Sequence, residues 1–345
     1  MIKPAMNFRI PGRGERAYAY AKACGIIGKS FTGKRIHSLE KVNGIAELDR
    51  MVFPVSAGAL PEKEMLADLE DRITGRAAGS IARVLESFSR PPEFLVMLVR
   101  GYEYADLINA VNALMDNEMD KEQAPPFHAD LGKFQTVRFN AWPDLKAMVK
   151  GTGFEFLLSE DVIPKDGQGT EKLQNLLERH YYSTLWKSLS SLPARHRHTA
   201  QRILSDEISL KNCSWALRLR VYYGMKADEA KTHLIDLYQD DAVKCLDFPL
   251  DDYSAWSSWR WKDFLPPPKA GEHWRLDPRH FQNSSSRHLY RLARRYFHLR
   301  PSSLDTIFCF IKLKQFEEDL LTSSAEGLGI GMSVHELFSE LGVEP

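Results

Sequence analysis

Three stretches of the chain carry residue types that could do chemistry. Gly25-Ile-Ile-Gly28-Lys29-Ser30 has the glycine, lysine and hydroxyl of a phosphate loop, in which backbone N–H groups and an ammonium cradle phosphate oxygens. The motif's first glycine would fall at position 23, which is Ala23, and no strand-like run precedes it. The stretch therefore reads as part of a helix from Arg16 to Ser30, with Tyr18, Ala21, Gly25 and Gly28 as a small-residue packing face. Arg195-His196-Arg197-His198 offers two imidazoles at i and i+2. That spacing misses the i, i+4 geometry with which one helix chelates a metal, so a solvated basic turn is the simpler reading. Gly327-Leu-Gly329-Ile-Gly331 has glycines like a dinucleotide fingerprint, but it follows a helix-forming run and reads as a helix stop.

No nucleophile stands beside a base, no pair of carboxylates shares a plausible face, and Cys24, Cys213, Cys245 and Cys309 are scattered among apolar neighbours. The sequence thus assigns no catalytic, cofactor-binding or metal residues, and its cysteines read as reduced core thiols. Its 46 basic and 46 acidic residues balance, leaving no net field to favour nucleic acid. The local exception is Arg287, Arg291, Arg294, Arg295 and Arg300 on one amphipathic run. That run suits RNA or an acidic partner, although a solvated face is the simplest account. No run approaches the eighteen or so apolar residues of a membrane span, and no signal-like stretch follows the first lysine, so the expected location is the cytoplasm.

The elements expected to position these residues are helices. The run from Asp206 to Met225 has two apolar faces on a helical wheel: Ile208, Trp215, Leu219 and Tyr222 with Asn212 on one side, and Leu210, Cys213, Leu217 and Val221 on the other. A helix covered on both sides is central, and Trp215 is expected to be buried in it. Between the faces lie Glu207, Lys211, Ser214 and Arg218, with Glu207 and Lys211 spaced for an i, i+4 ion pair. The pattern occurs three times. Asp106 and Asn109 stand 103 residues before Ser209 and Asn212, and Glu317 and Leu320 stand 108 residues after them. Pro91, Pro193 and Pro301 lie upstream in the three copies, each preceded by another apolar-periodic run. The unit is helix, proline turn, helix, and it predicts an all-α chain with an internal triplication. Glu62–Ile73 and Arg76–Phe88 are expected as separate helices, Phe94–Val99 as helix rather than strand, and Asp228–Tyr238 as a helix opening the third lobe. The lobes are expected at residues 1–120, 121–226 and 227–345. The last carries an insert near 251–286 with Trp256, Trp259, Trp261 and Trp274, read as a loop pinned by aromatic anchors or as a docking surface.

With these residues in view, Asp206–Met225 resembles the middle signature of the V-type (vacuolar and archaeal-type) ATPase subunit called C in prokaryotes and d in eukaryotes. The likeness rests on Glu207, Asn212, Leu217-Arg218-Leu219-Arg220 and Tyr222-Tyr223-Gly224. Arg16-Ala-Tyr-Ala-Tyr-Ala, Glu178-Arg-His-Tyr-Tyr182 and Phe310-Ile-Lys-Leu-Lys-Gln-Phe-Glu317 resemble the same family, in order, from about Arg16 to Gly331. Ser209, Leu320 and Thr322 depart from its usual acid, asparagine and basic residue. The resemblance implies three helical lobes forming a funnel with a central cavity, and a non-catalytic rotor part seated on the membrane ring of hairpin subunits. It further implies that the central stalk enters that cavity, so that shaft rotation drives ion transport, whether of protons or sodium. A helical-repeat scaffold of an unrelated assembly is the alternative. Because the phosphate-loop lookalike lacks its glycine, the purified chain is expected not to bind ATP. Micromolar ATP affinity in equilibrium dialysis, abolished by Lys29→Ala, would contradict this.

Overall fold

Among the described residues, prolines punctuate six long helices. The computed structural model describes residues 10–54, 61–116, 124–125, 127, 130–159 and 170–341. The chain's first nine residues, the loop expected from Pro164, the small residues around Gly58 and part of the Asp120–Asn140 boundary lie outside them. In chain order the helices are α1 (Arg13–Ile27), α2 (Ile45–Val52), α3 (Glu62–Leu85), α4 (Glu93–Met115), α5 (Leu145–Val149) and α6 (Thr170–Ser190). They continue as α7 (His198–Tyr223), α8 (Ala227–Lys231), α9 (Asp240–Asp247), α10 (Pro278–Phe297), α11 (Leu304–Gly329) and α12 (Val334–Leu341). The fold is all-α, with no strand among the described residues. Phe94–Val99 is helical as expected, within α4.

Pro92 caps α4, Pro193 and Pro301 lie in the turns before α7 and α11, and each pair of long helices meets across such a turn. The contacts between pairs are as extensive as those within them. The second helix of each pair packs on the first of the next: α4 on α6, α7 on α10, and α11 back on α3. Gly101 of α4 permits one such approach, because a Cβ there would stand 3.2 Å from the Tyr181 hydroxyl of α6.

Each second helix also reaches the irregular chain around it with buried polar side chains. Glu103 of α4 accepts the Thr136 and Val137 backbone N–H groups, the latter at 2.8 Å. Asn212 of α7 is fully buried. It accepts the Ile235 N–H at 2.8 Å and donates to the carbonyls of Ile235 and Leu237 at 3.1 and 2.8 Å. Glu317 of α11 accepts the Phe31 N–H at 2.8 Å. For the third unit the anchored segment comes from the start of the chain. Phe31, Ile36, Leu39, Ile45, Leu48 and Val52 share one core with Leu320, Leu321 and Ala325 of α11 and with Val334 and Phe338 of α12.

Several expectations need correction. Glu62–Leu85 is one helix, because its apolar phase continues through Ile73, Ala77 and Ile81 without a breaker. In α1 the buried small residues are Ala19 and Ala23, while Tyr18, Ala21, Gly25 and Gly28 face solvent. The larger partial contacts come from Tyr20, Cys24, Ile26 and Ile27, which sit beside those two alanines. Asp228–Tyr238 is helical only as α8, because Asn212 takes the backbone groups at Ile235 and Leu237 that a continued helix would use. The short α9 carried no sequence expectation. Gly327 and Gly329 lie within the last turn of α11, and Gly331, two residues past its end, turns the chain away with φ 79°.

The insert is a lid on a second core. Trp256, Trp259 and Trp261 are buried against Leu210, Cys213, Leu217 and Phe281. All four indole N–H groups are satisfied: Trp256 donates to the Pro249 carbonyl, Trp259 to that of Asp241, Trp261 to the Ser209 hydroxyl and Trp274 to the Pro266 carbonyl. Three of the four therefore have no face left for a partner, and the segment is pinned by its aromatic anchors.

Asn212→Ala would leave the Ile235 N–H and the Leu237 carbonyl without partners, while the Ile235 carbonyl keeps the Leu237 N–H, and is expected to cost about 2–3 kcal/mol in urea unfolding. Tyr223→Ala, on a side chain 61% exposed, is expected to stay within about 0.5 kcal/mol of the parent.

Candidate functional site

The polar stripe of α7 does not face bulk solvent. Glu207, Lys211, Ser214, Trp215 and Arg218 line a depression of about 350 Å³, closed on one side by Glu178 and Tyr182 of α6 and on the other by Gln282, Ser286 and Leu289 of α10. A second compartment, of about 490 Å³, lies beyond Gln282 and Ser286. Its walls are Thr74 of α3, Arg287 of α10, and Glu318, Asp319 and Glu326 of α11. A smaller one, lined by Glu207, Ser286, Lys312 and Asp319, adjoins both. At least one long helix from every proline-separated pair thus contributes to a polar hollow of adjoining compartments: α6 and α7, α10 and α11, and α3.

The expected ion pair along α7 is replaced by pairs between helices. Lys211 meets Glu178 of α6 at 2.5 Å, and Glu207 meets Lys312 of α11 at 2.8 Å. The Tyr182 hydroxyl adds a hydrogen bond to Glu207 at 3.1 Å. The local pair forgoes only a few tenths of a kcal/mol, whereas the cross-helix pairs neutralise charges on facing walls. Trp215 is half-buried, with its N–H given to Glu178 at 3.2 Å. It is a wall of the hollow rather than a core side chain, so truncating it removes less packing than its size suggests. Arg220 braces the fold by donating to the carbonyls of Cys245 and Phe248 at 2.7 and 2.8 Å. Arg218 faces the hollow with its guanidinium 5.5 Å from the centre of the Trp215 ring.

On the α11 side, Tyr102 of α4 donates to Glu318 at 2.5 Å. Burial pushes Glu318 up to about 7, against the lowering effect of that hydrogen bond, with Asp319 adding repulsion. Asp319 is raised to about 6, chiefly by desolvation, while Lys312 and Lys211 pull it down. Its side chain is exposed by area, but the surface is that of a hollow walled by protein, where charge remains costly. Glu317, one residue earlier, goes the other way. Burial would raise it, but Lys314, the Phe31 N–H and Arg76 hold it below the usual carboxylate range.

These groups form no catalytic constellation. The thiols of Cys213 and Cys309 are pushed up by burial and are poor nucleophiles at neutral pH. Among the described residues no three His, Cys, Asp or Glu converge as metal ligands, and no helix is long and apolar enough to cross a membrane. The phosphate-loop lookalike is the C-terminal end of α1, where Ser30 donates to the Ile26 carbonyl and receives Lys314. Arg197, in the dihistidine turn, closes off α6 by donating to the Ser190 and Leu192 carbonyls. The arrangement suits binding of a polar surface rather than turnover.

The native state holds protons on Glu318 and Asp319 that the unfolded chain releases near pH 4. Stability is therefore expected to decline as pH rises from about 4 to about 7. Glu318→Gln removes one charge that must otherwise be buried. It should raise the melting temperature more at pH 8 than at pH 5, and equal shifts at the two pH values would contradict this origin.

The sequence model of the ATP synthase (C/AC39) subunit family matches residues 56–337. A relative described as an uncharacterized protein of Treponema pallidum (strain Nichols) is 28% identical over 331 residues, covering 91% of this chain and 92% of its own length.

Proposed function

The chain belongs to the ATP synthase (C/AC39) subunit family, and from that premise we propose that it is the cap joining the central stalk of a V-type ATPase to the membrane ring of hairpin subunits. As a member of the family it is a non-catalytic rotor subunit. ATP is hydrolysed or made elsewhere in such a machine, and this part transmits rotation.

The observation that carries the coupling role is the polar hollow to which all three helix pairs contribute. A shaft needs a socket, and a socket that transmits torque needs walls stiff against shear. Cross-helix ion pairs and a cyclic succession of helix contacts supply that stiffness. In this reading the lobes span residues 1–120, 121–226 and 227–345 and stand as a funnel about the hollow, with the stalk inserted in it. The subunit is then peripheral, on the cytoplasmic face of the membrane through its hold on the ring. Binding to nucleic acid is not part of the reading. On the basic α10, Arg287 is engaged with Ser284, and the Arg294 guanidinium lies against Gly33. The scaffold alternative explains a repeated helix pair but not a hollow lined by charged groups.

A strain lacking the protein is expected to retain a soluble catalytic head that hydrolyses ATP and a ring that assembles, with no ATP-driven ion uptake in membrane vesicles until the wild type is restored. Undiminished uptake without the protein would remove the coupling role.

A further inference from the structure

The two larger compartments of the hollow meet at Gln282 and Ser286 of α10 and differ in charge. On the α7 side, Glu178 and Lys211 neutralise each other. Arg218 is left there with the Trp215 ring but no ion pair among the described residues. One turn further along the same face stands Tyr222, 50% exposed. On the α11 side, Lys312 is committed to Glu207, and Arg287 donates to Ser284. Tyr102 engages Glu318. Asp319 and Glu326 remain, with no side-chain hydrogen bond or ion pair among the described residues, and both are exposed within that compartment.

We propose that the hollow is a keyed socket with two charge poles. Arg218, flanked by Trp215 and Tyr222, takes a carboxylate of the inserted element, while Asp319 and Glu326 take a lysine or arginine from its other face. The proposal rests on the reading that the central stalk enters the hollow, and it adds the chemistry of what enters: a tip carrying an acid and a base on different faces. The physical ground is charge complementarity. A guanidinium held against an indole and left without a carboxylate is a preorganised acceptor site for one, and arginine with tryptophan and tyrosine is the composition of interface hot spots. Two poles on either side of Gln282 and Ser286 admit one angular setting in which both pair. Turned away from it, the tip would bring like charges together, and that repulsion opposes slip as much as attraction holds register.

The test measures binding of the purified cognate central-stalk subunits to the full-length chain by calorimetry, with melting temperature as a folding control. Arg218→Glu and Asp319→Lys are each expected to weaken stalk binding by at least about tenfold. The neutral variants Arg218→Gln and Asp319→Asn are expected to lie between those reversals and the wild type. Ser286→Trp, at the exposed junction of the compartments, is the control for entry and is expected to block binding. Should Ser286→Trp block binding while the folded charge reversals leave it unchanged, the keyed socket is wrong and stalk entry survives. Wild-type binding that Ser286→Trp does not affect, or no stalk binding at all, would remove both.

Discussion

A carboxylate with almost no exposed surface holds the ends of this chain together. Glu317 lies in the middle of α11, yet it accepts the backbone N–H of Phe31, pairs with the buried Lys314, and has Arg76 of α3 at 3.8 Å. Removing such a charge from water costs several kcal/mol, and only this full set of partners offsets it. The segment from Phe31 to Val52 is thereby fixed on the last long helix. The third core is built from that segment, α3, α11 and α12, and the segment supplies half of its buried apolar side chains. Glu103 and Asn212 do comparable work for the first two units, though from other positions of the repeated pattern.

Much of this architecture was legible in the residues, and the reason is local. Helix periodicity and proline punctuation act within a few turns of chain, so Glu93–Met115 and the helix pairs about Pro193 and Pro301 follow from the sequence directly. The single helix from Glu62 to Leu85 reads as two in sequence because no rule of periodicity says when two in-phase runs join. The exposed face of α1 reads as a packing face in sequence because glycine and alanine permit close approach without requiring it. At Asp228–Tyr238 the local pattern favoured helix and lost to a buried asparagine more than twenty residues away, a competition that no window of sequence contains.

The site was less legible than the fold. Glu207, Lys211, Ser214 and Arg218 were recognisable as a polar stripe, but their partners were not, since Glu178 and Lys312 are set by the packing of α6 and α11. Glu318 and Asp319 carried no signal as a pair of interest. Adjacent acids on a helix are ordinary, and only the Tyr102 hydroxyl from α4 and the enclosing walls make them unusual. In the sequence the tryptophans of the insert fit two roles, aromatic anchor or docking surface. Their indole hydrogen bonds to nearby carbonyls decide for the inward one.

The hydrogen bond between Phe31 and Glu317 spans 286 residues, and a ribosome makes chain from one end only. The segment that completes the third core therefore leaves the exit tunnel long before the helix that receives it exists. Through most of synthesis its isoleucines, leucines and valines have only Leu69 and Ile73 of α3 as partners from the finished core. Contacts of such separation form late and slowly, and waiting apolar surface invites association with other chains. The cost of closing the molecule on itself thus falls on the nascent polypeptide, as a long interval of incompletely covered apolar surface.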